Sequence, residues 1–405
     1  METNTENTGE LEQKRRWIIL SLASIPLIMT LGNSMLIPIL PVMERTLHIT
    51  KLESSYIITV FSVVAIIFIP IAGYLSDQFG RKTVILPSLI ITGIGGLIAG
   101  WASWKMENPY PFILVGRILQ GIGASGAFPV VLPLVGDIFQ DDKLASKTLG
   151  VVETSNTIGK VLSPILGAAL AAIVWFMPFF SIPVFCLISA CLVGFLIEKK
   201  EGGEERTNVG EYIQLIKDVF KEHRTWLVAI FIIGAILMFM LFGFLFYLSS
   251  ILEETFGYKG IWKGVLLGIP LLALSVASYV SGKLIKDRLK VMKWVTFSGI
   301  LLSGLSVLVI PFMNHPIYLL SIFFVCGTGI GMSLPSLDAL ITNTLDKKVS
   351  GVITSIYSAM RFIGVAAGPP VIALLMKQHI SWMVILLTLV ALGAGLLAYK
   401  SINPE

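Results

Sequence analysis

Three cations stand deep inside apolar stretches of this chain: Arg117, Lys160 and Arg361. A charge held at such depth costs several kcal/mol unless it is paired or faces water, which makes each a functional candidate. Asn156 lies one turn before Lys160 and Glu153 two turns before it, so the three share one helix face. That row suits balancing an anionic group of a ligand, or release of a proton by Lys160 itself; it equally suits a structural link from Glu153 to Lys160 through Asn156. Arg361 has Tyr357 one turn before it, and Arg117 has Gln120 one turn after it, as a cavity group or as a hydrogen-bond anchor. Proton chemistry needs a carboxylate that can be loaded and emptied within an apolar setting. Glu153 and Asp338 (in PSLDALI) are the acids so placed, each readable as a proton carrier or as half of a structural ion pair. Asn33, in LGNSMLIPILP (31–41), cannot titrate. Three cations near one depth favour an anionic or zwitterionic ligand.

A second kind of chemistry is suggested by Phe239, Phe242 and Phe246 at i, i+3 and i+7, with Met238 and Tyr247 nearby. Such a face can hold varied amphipathic compounds, or serve only to pack against neighbouring helices or lipid. No catalytic constellation accompanies these groups. His48, His223, His315 and His379 fall in loops or at the ends of apolar runs, and no phosphate-binding G-x4-G-K-[ST] loop is present. The reading is therefore not an enzyme, with no metal site and no cofactor.

The elements that must position these groups follow from composition. Of 405 residues, 55% are hydrophobic and 14% charged, with a mean hydropathy of +0.85. That excludes a soluble enzyme, a secreted domain and a disordered protein. A bilayer core about 30 Å thick needs roughly 20 apolar residues per helical span. The apolar runs predict twelve spans, at 17–42, 54–75, 84–104, 110–136, 149–174, 178–197, 226–251, 262–285, 292–313, 317–340, 352–376 and 380–399. The first run follows Lys14, Arg15 and Arg16 but is long and leads into another span, unlike a signal peptide. Cys186, Cys191 and Cys326 all lie inside apolar runs, so no disulfide framework is indicated. Despite a pI of about 9.0, the basic residues sit in short connections and form no nucleic-acid surface.

With twelve spans both termini share one side. Connections on that side hold 21 Lys and Arg against 6 on the other, which puts both termini in the cytoplasm of a cell membrane, read as bacterial. The one break in composition is 198–224, a charged Gly/Glu stretch followed by Tyr212, Ile213, Leu215, Ile216, Val219 and Phe220 at helical spacing. It reads as a cytoplasmic linker carrying an amphipathic surface helix. The expected order is a tail (1–16), a six-helix bundle (17–197), the linker (198–224), a second six-helix bundle (225–399) and a tail (400–405). The halves repeat each other: GIGASGAFP (121–129) matches the glycine and proline spacing of GTGIGMSLP (327–335), and Gly159, Ser163 and Pro164 correspond to Gly364, Gly368 and Pro369. Repeated halves point to a transporter whose site lies between them near the midplane.

Between the second and third spans stands GYLSDQFGRKTVIL (73–86). Gly73 allows close helix contact, Gly80 permits a tight turn, and Asp77 with Arg81 and Lys82 places opposite charges at the junction. This run resembles the signature loop of the major facilitator superfamily, G-x-L-x-D-x-x-G-R-K. The resemblance implies a loop that latches the two halves and releases as they rock, with Asp137 as an acidic partner for Arg81. In the second half only SGKLIKDRLK (281–290) remains of the repeat, without its second glycine, so the latch is expected to be asymmetric. LVGRILQGIGASG (114–126) resembles the family's R-x-x-x-G-x-G motif, whose arginine borders the cavity and is linked to proton transfer. GVVETSNTIGKVLSPILGA (150–168) resembles its antiporter motif, with Gly150, Gly159 and Gly167 kept, Pro164 bending the helix, and Ser163 and Ala168 in place of glycines.

These resemblances imply an all-α membrane protein of the superfamily fold: twelve transmembrane helices in two pseudo-symmetric six-helix bundles, similar to twelve-span drug:proton antiporters. The function expected is secondary active export of amphipathic small molecules or drugs by alternating access, energised by the proton gradient. Its partners would be a small-molecule substrate, protons and the lipid bilayer, with the chain acting as a monomer. The alternative is a dedicated exporter of an anionic metabolite such as a siderophore, or a glycolipid flippase. A non-transporting receptor or scaffold would lack gradient-dependent flux, and the retained latch loop argues against it.

Overall fold

The computed structural model describes residues 2–198, 209–285, 288–312, 315–345 and 347–402. Among these there is no strand, and twelve helices are long and apolar enough to cross a membrane. The chain runs α1 (Glu2–Ser34), α2 (Leu40–Leu47), α3 (Lys51–Phe79), α4 (Arg81–Lys105), α5 (Tyr110–Ile138), α6 (Asp142–Ile173) and α7 (Met177–Leu196). The second half is α8 (Val209–Glu254), α9 (Gly260–Ile285), α10 (Leu289–Val307), α11 (Pro316–Thr344), α12 (Lys347–Leu375) and α13 (Ile380–Ser401). Twelve crossings put both ends of the chain on one side, the terminal side; the opposite side is the far side.

The packing repeats between the halves. α1 lies on α6 as α8 lies on α12, α4 on α5 as α10 on α11, α4 on α7 as α10 on α13, and α3 on α5 as α9 on α11. The halves meet along two equivalent seams, α3 against α12 and α6 against α9. Local sequence sets the helix ends. Thr50 caps α3, its hydroxyl accepting from the Glu53 amide at 3.2 Å while the Glu53 carboxylate accepts from the Thr50 amide at 2.7 Å. Gly80 separates α3 from α4 at φ 87°, a backbone conformation that favours glycine.

The first span is not continuous. Its helix stops at Ser34, passes through a 3-10 turn (Ile37–Ile39) and resumes as α2. Pro38 and Pro41 lack amide hydrogens, which breaks the ladder and leaves carbonyls at the corner free for other donors. At the other end, α1 already begins at Glu2, inside the segment expected as a tail. The linker also differs: residues 199–208 lie outside the described residues, but from Val209 the helix runs on into the seventh span. At 46 residues α8 spans about 69 Å, far more than a bilayer core, and its one non-helical residue is His223 (φ −116°, ψ 21°). The side chains of Tyr212, Ile213 and Leu215 lie outside the described ones. Val219 is buried and Phe220 meets Phe231 edge-on at 5.8 Å, so this part of the apolar face turns onto the bundle rather than onto lipid.

The small residues explain the close pairs. On α12, a Cβ at Gly364 would collide with the Ala235 carbonyl and stand 2.6 Å from the Phe239 amide of α8; one at Gly368 would stand 2.7 Å from the Phe239 carbonyl. Gly159 faces α1, where a Cβ would stand 3.1 Å from the Leu27 carbonyl, and a Cβ at Gly167 would collide with the Met35 carbonyl. Ser163 is buried between them, while Pro164 of the same helix turns its carbonyl to Gly264 of α9. Gly150 has open space around it, so it contributes nothing to this packing. Gly364→Ala is therefore expected to destabilise the protein by about 1–3 kcal/mol through overpacking. Gly150→Ala should be neutral or stabilising, by up to about 1 kcal/mol of helix propensity. Thermal unfolding of the two variants in detergent checks the contrast.

Candidate functional site

α6, α11 and α12 bring four charged side chains together where the halves face each other. Arg361 pairs with Asp338 at 3.6 Å, their side chains 22% and 47% exposed. Lys160 lies within electrostatic reach of Glu153, Arg361 and Asp338, and Asp338 within reach of Arg361, Glu153 and Lys160. The two acids and two bases balance. This corrects the expectation of a strongly positive cavity, because the third deep cation is elsewhere. Within the group the partners are unequal. Asn156 donates to the Glu153 carboxylate at 3.1 Å and accepts from the Thr30 hydroxyl at 2.6 Å, which ties this row to α1. The Lys160 side chain is half-buried and makes no hydrogen bond or ion pair among the described residues.

Arg117 is fully buried inside the first half. Its guanidinium donates to the Ile57 carbonyl at 2.8 Å, Gln120 Oε1 at 2.7 Å, Asn33 Oδ1 at 2.9 Å and the Gly32 carbonyl at 3.4 Å. It also lies 4.4 Å above the Phe61 ring. Each of these acceptors is a neutral oxygen, and together they stitch α5 to α1 and α3. The Arg117 guanidinium is thus hydrogen-bonded within the first half. Asn33, Gln120 and Arg117, all expected at a substrate cavity, are thus interior to the bundle, with 9%, 1% and 0% exposure.

The remaining cavity candidates divide in the same way. Tyr357 is fully buried, stacked on Phe231 with ring centres 6.1 Å apart and with Arg361 5.6 Å from its ring. Asn156 and Phe242 are buried as well, and Phe239 is half-buried where its backbone backs onto Gly364 and Gly368. Phe246 and Tyr247 belong to the core. Of the deep polar residues read from the sequence, Glu153, Lys160, Asp338 and Arg361 are the ones left with open faces.

At the terminal side, the signature loop is an ion-pair network. Arg81 bridges Asp137 of α5 at 2.5 Å and Asp77 of α3 at 3.6 Å. Lys82 donates to the Gly194 carbonyl at 2.8 Å and to the Ile197 carbonyl, closing the exposed end of α7. Gly73 lies beside α12, where a Cβ would stand 3.7 Å from the Ser355 hydroxyl.

The far side holds a set of residues that sequence reasoning did not single out. Glu253, at the end of α8, pairs with Arg45 of α2 and, at 2.7 Å, with Lys263 of α9. Lys263 also donates to the Pro38 carbonyl at 2.7 Å, and Ser249 to the Ile37 carbonyl at 2.9 Å. Lys51 pairs with Glu254 at 2.6 Å. Apart from the Glu253–Lys263 pair, each contact joins one half to the other, and Glu253 and Lys263 are 5% and 2% exposed. The far side is closed by these contacts. Two signals pointed there: the Pro38 and Pro41 break, and opposite charges clustered in the connections at both ends of the seam.

Known proteins share the family pattern and the fold. The family pattern described as Major Facilitator Superfamily matches residues 22–369 and 293–404. A protein of Bacillus subtilis (strain 168) described as a bacillibactin exporter is 53% identical over 373 residues, covering 91% of this chain and 92% of its own. Multidrug resistance protein 2 of the same organism is 25% identical over 378 residues, with 92% and 91% coverage. Among solved structures, a bacterial homologue of the human lysosomal transporter Spinster superposes with a TM-score of 0.79 at 12% identity, covering 97% of this chain and 99% of that one. The motifs, the paired six-helix halves and these matches agree: the chain is a membrane transporter belonging to the Major Facilitator Superfamily.

Proposed function

We propose that this transporter exports an anionic metabolite of the siderophore type in exchange for protons. The observation that carries the reading is Lys160, a half-buried ammonium with no hydrogen bond or ion pair among the described residues, beside an Arg361–Asp338 pair. An anionic group entering between the halves meets Lys160 first and gains a charge-assisted hydrogen bond there without breaking an existing pair. The loaded halves rock and release the anion on the far side; protonation of Asp338 or Glu153 from that side then changes the charge balance of the group, and the halves rock back and deliver the proton to the terminal side. The 53% identical bacillibactin exporter supports this substrate class. Export of varied amphipathic drugs would draw on an open aromatic face, whereas Phe242, Phe246 and Tyr247 are taken up in helix packing.

The charge count of the connections favours cytoplasmic termini. The closed far side is then the outer one, and the four charges are reached from the cytoplasm. The chain works as a monomer in the cell membrane, and its energy source is the proton gradient rather than a bound cofactor. The test is transport by purified protein in proteoliposomes under an imposed pH gradient. Iron-free bacillibactin should be accumulated and a cationic dye should not. Combining Glu153→Gln with Asp338→Asn should abolish gradient-driven accumulation while substrate exchange across the vesicle persists. Accumulation by the double variant at the wild-type rate would refute the coupling, and dye transport equal to siderophore transport would refute the substrate class.

A further inference from the structure

The second half carries a degenerate copy of the signature loop whose charges are not matched as those of the first half are. Aligning Gly282 with Gly73 places Lys286 at the position of Asp77 and Lys290 at that of Arg81. One of the two acids that hold Arg81 has thus become a base. Residues 283–293 hold five Lys and Arg and a single Asp, the densest run of positive charge in the chain. Where Arg81 has two carboxylates, Lys290 is exposed and makes no hydrogen bond or ion pair among the described residues.

Lys290 borders a groove of about 420 Å³ on the outer surface of α10, completed by Val291, Trp294, Val295 and Ser298. The groove has a polar rim at the terminal side and apolar walls running toward the membrane interior. Trp294 is 54% exposed and meets Tyr399 of α13 at 6.2 Å, with Lys293 5.3 Å from the same tyrosine ring. Exposed Trp and Tyr at the end of a span sit at headgroup level, next to the phosphates.

We propose that this groove binds an anionic phospholipid, with Arg288 and Lys290 on its headgroup phosphate and an acyl chain along Val291, Trp294 and Val295. The lipid phosphate would take the place that the Asp77 carboxylate holds in the first half. Orientation of the protein in the membrane needs only an excess of basic residues. It does not need an aromatic groove beside an unmatched lysine. A soluble phosphate would gain nothing from the apolar walls, so the occupant is a lipid.

Native mass spectrometry of the full protein from mixed phosphatidylglycerol and phosphatidylcholine micelles tests this. Wild type should retain phosphatidylglycerol selectively. Removing two juxtamembrane cations, as Arg288→Gln with Lys290→Gln, should weaken retention about thirtyfold. The pair Lys143→Gln with Lys147→Gln, on the same side of the first half, should leave it unchanged. If the first double variant does not insert, Lys290→Arg and Lys290→Glu provide the same contrast, the first retaining lipid and the second losing it. Equal retention of the two lipids by wild type, or equal loss in both double variants, overturns the proposal. Displacement by glycerol 3-phosphate also overturns it, by marking a soluble-anion site.

Discussion

Replacing Lys160 by glutamine should raise the KM for the exported anion about 10- to 100-fold, the loss of one charge-assisted hydrogen bond worth about 1.5–3 kcal/mol. The expectation follows from asymmetry within the site. Arg361 already has Asp338, and Glu153 already has Asn156, so Lys160 is the group free to receive a ligand. Its removal also leaves the remaining charges net negative, which repels the substrate. Stability should change little, because no hydrogen bond among the described residues depends on the Lys160 side chain. Lys160→Arg should recover part of the affinity, since the charge returns with different geometry. Transport kinetics of the three proteins, alongside their unfolding midpoints in detergent, check this. A glutamine variant with unchanged KM would remove Lys160 from the binding site.

The second large effect belongs to the far-side closure. Glu253→Gln takes the shared anion from Arg45 and Lys263 and leaves Lys263 buried with only the Pro38 carbonyl. Removing one member of a buried ion pair costs about 3–5 kcal/mol in the closed arrangement. Opening the far side hydrates Lys263 and relieves that cost, so the population should shift toward the open form by about 100-fold or more. Spin labels at the exposed positions Thr46 and Lys259, with the exposed Cys191 replaced, should report a longer distance in the variant. The charge swap Lys51→Glu with Glu254→Lys preserves the more exposed pair and should leave the distance at its wild-type value. An unchanged distance in Glu253→Gln would mean that helix packing alone holds this side shut.

The span count, the repeat of the halves and the signature loop could be read from sequence, because each rests on a property that sequence carries directly: hydropathy over about 20 residues, glycine spacing and a local charge pattern. What sequence could not supply is the direction in which a helix turns its faces. Arg117 and Arg361 look alike as cations at mid-depth, yet one is enclosed by four neutral acceptors and the other opens toward the partner half. Tyr357 stands one turn from Arg361 and is buried, because stacking on Phe231 fixes it against α8. The far-side pairs were hidden for another reason. Glu253 and Arg45 are 208 positions apart, and nothing local marks them as partners. Pro38 and Pro41 were visible, but a run of apolar residues on both sides masked the break they cause.

The balance of charge between the halves has an electrical consequence. Moving one elementary charge through 100 mV involves about 2.3 kcal/mol of work. Glu153 and Asp338 offset Lys160 and Arg361, and Arg117 stays fixed within its own half. The unloaded group of charges is therefore close to neutral, and the stroke that returns with Glu153 or Asp338 protonated carries that proton's charge through the field. Any voltage dependence of the cycle comes from the cargo and the counter-ions it exchanges for, so the current measured per molecule exported reads out their stoichiometry directly.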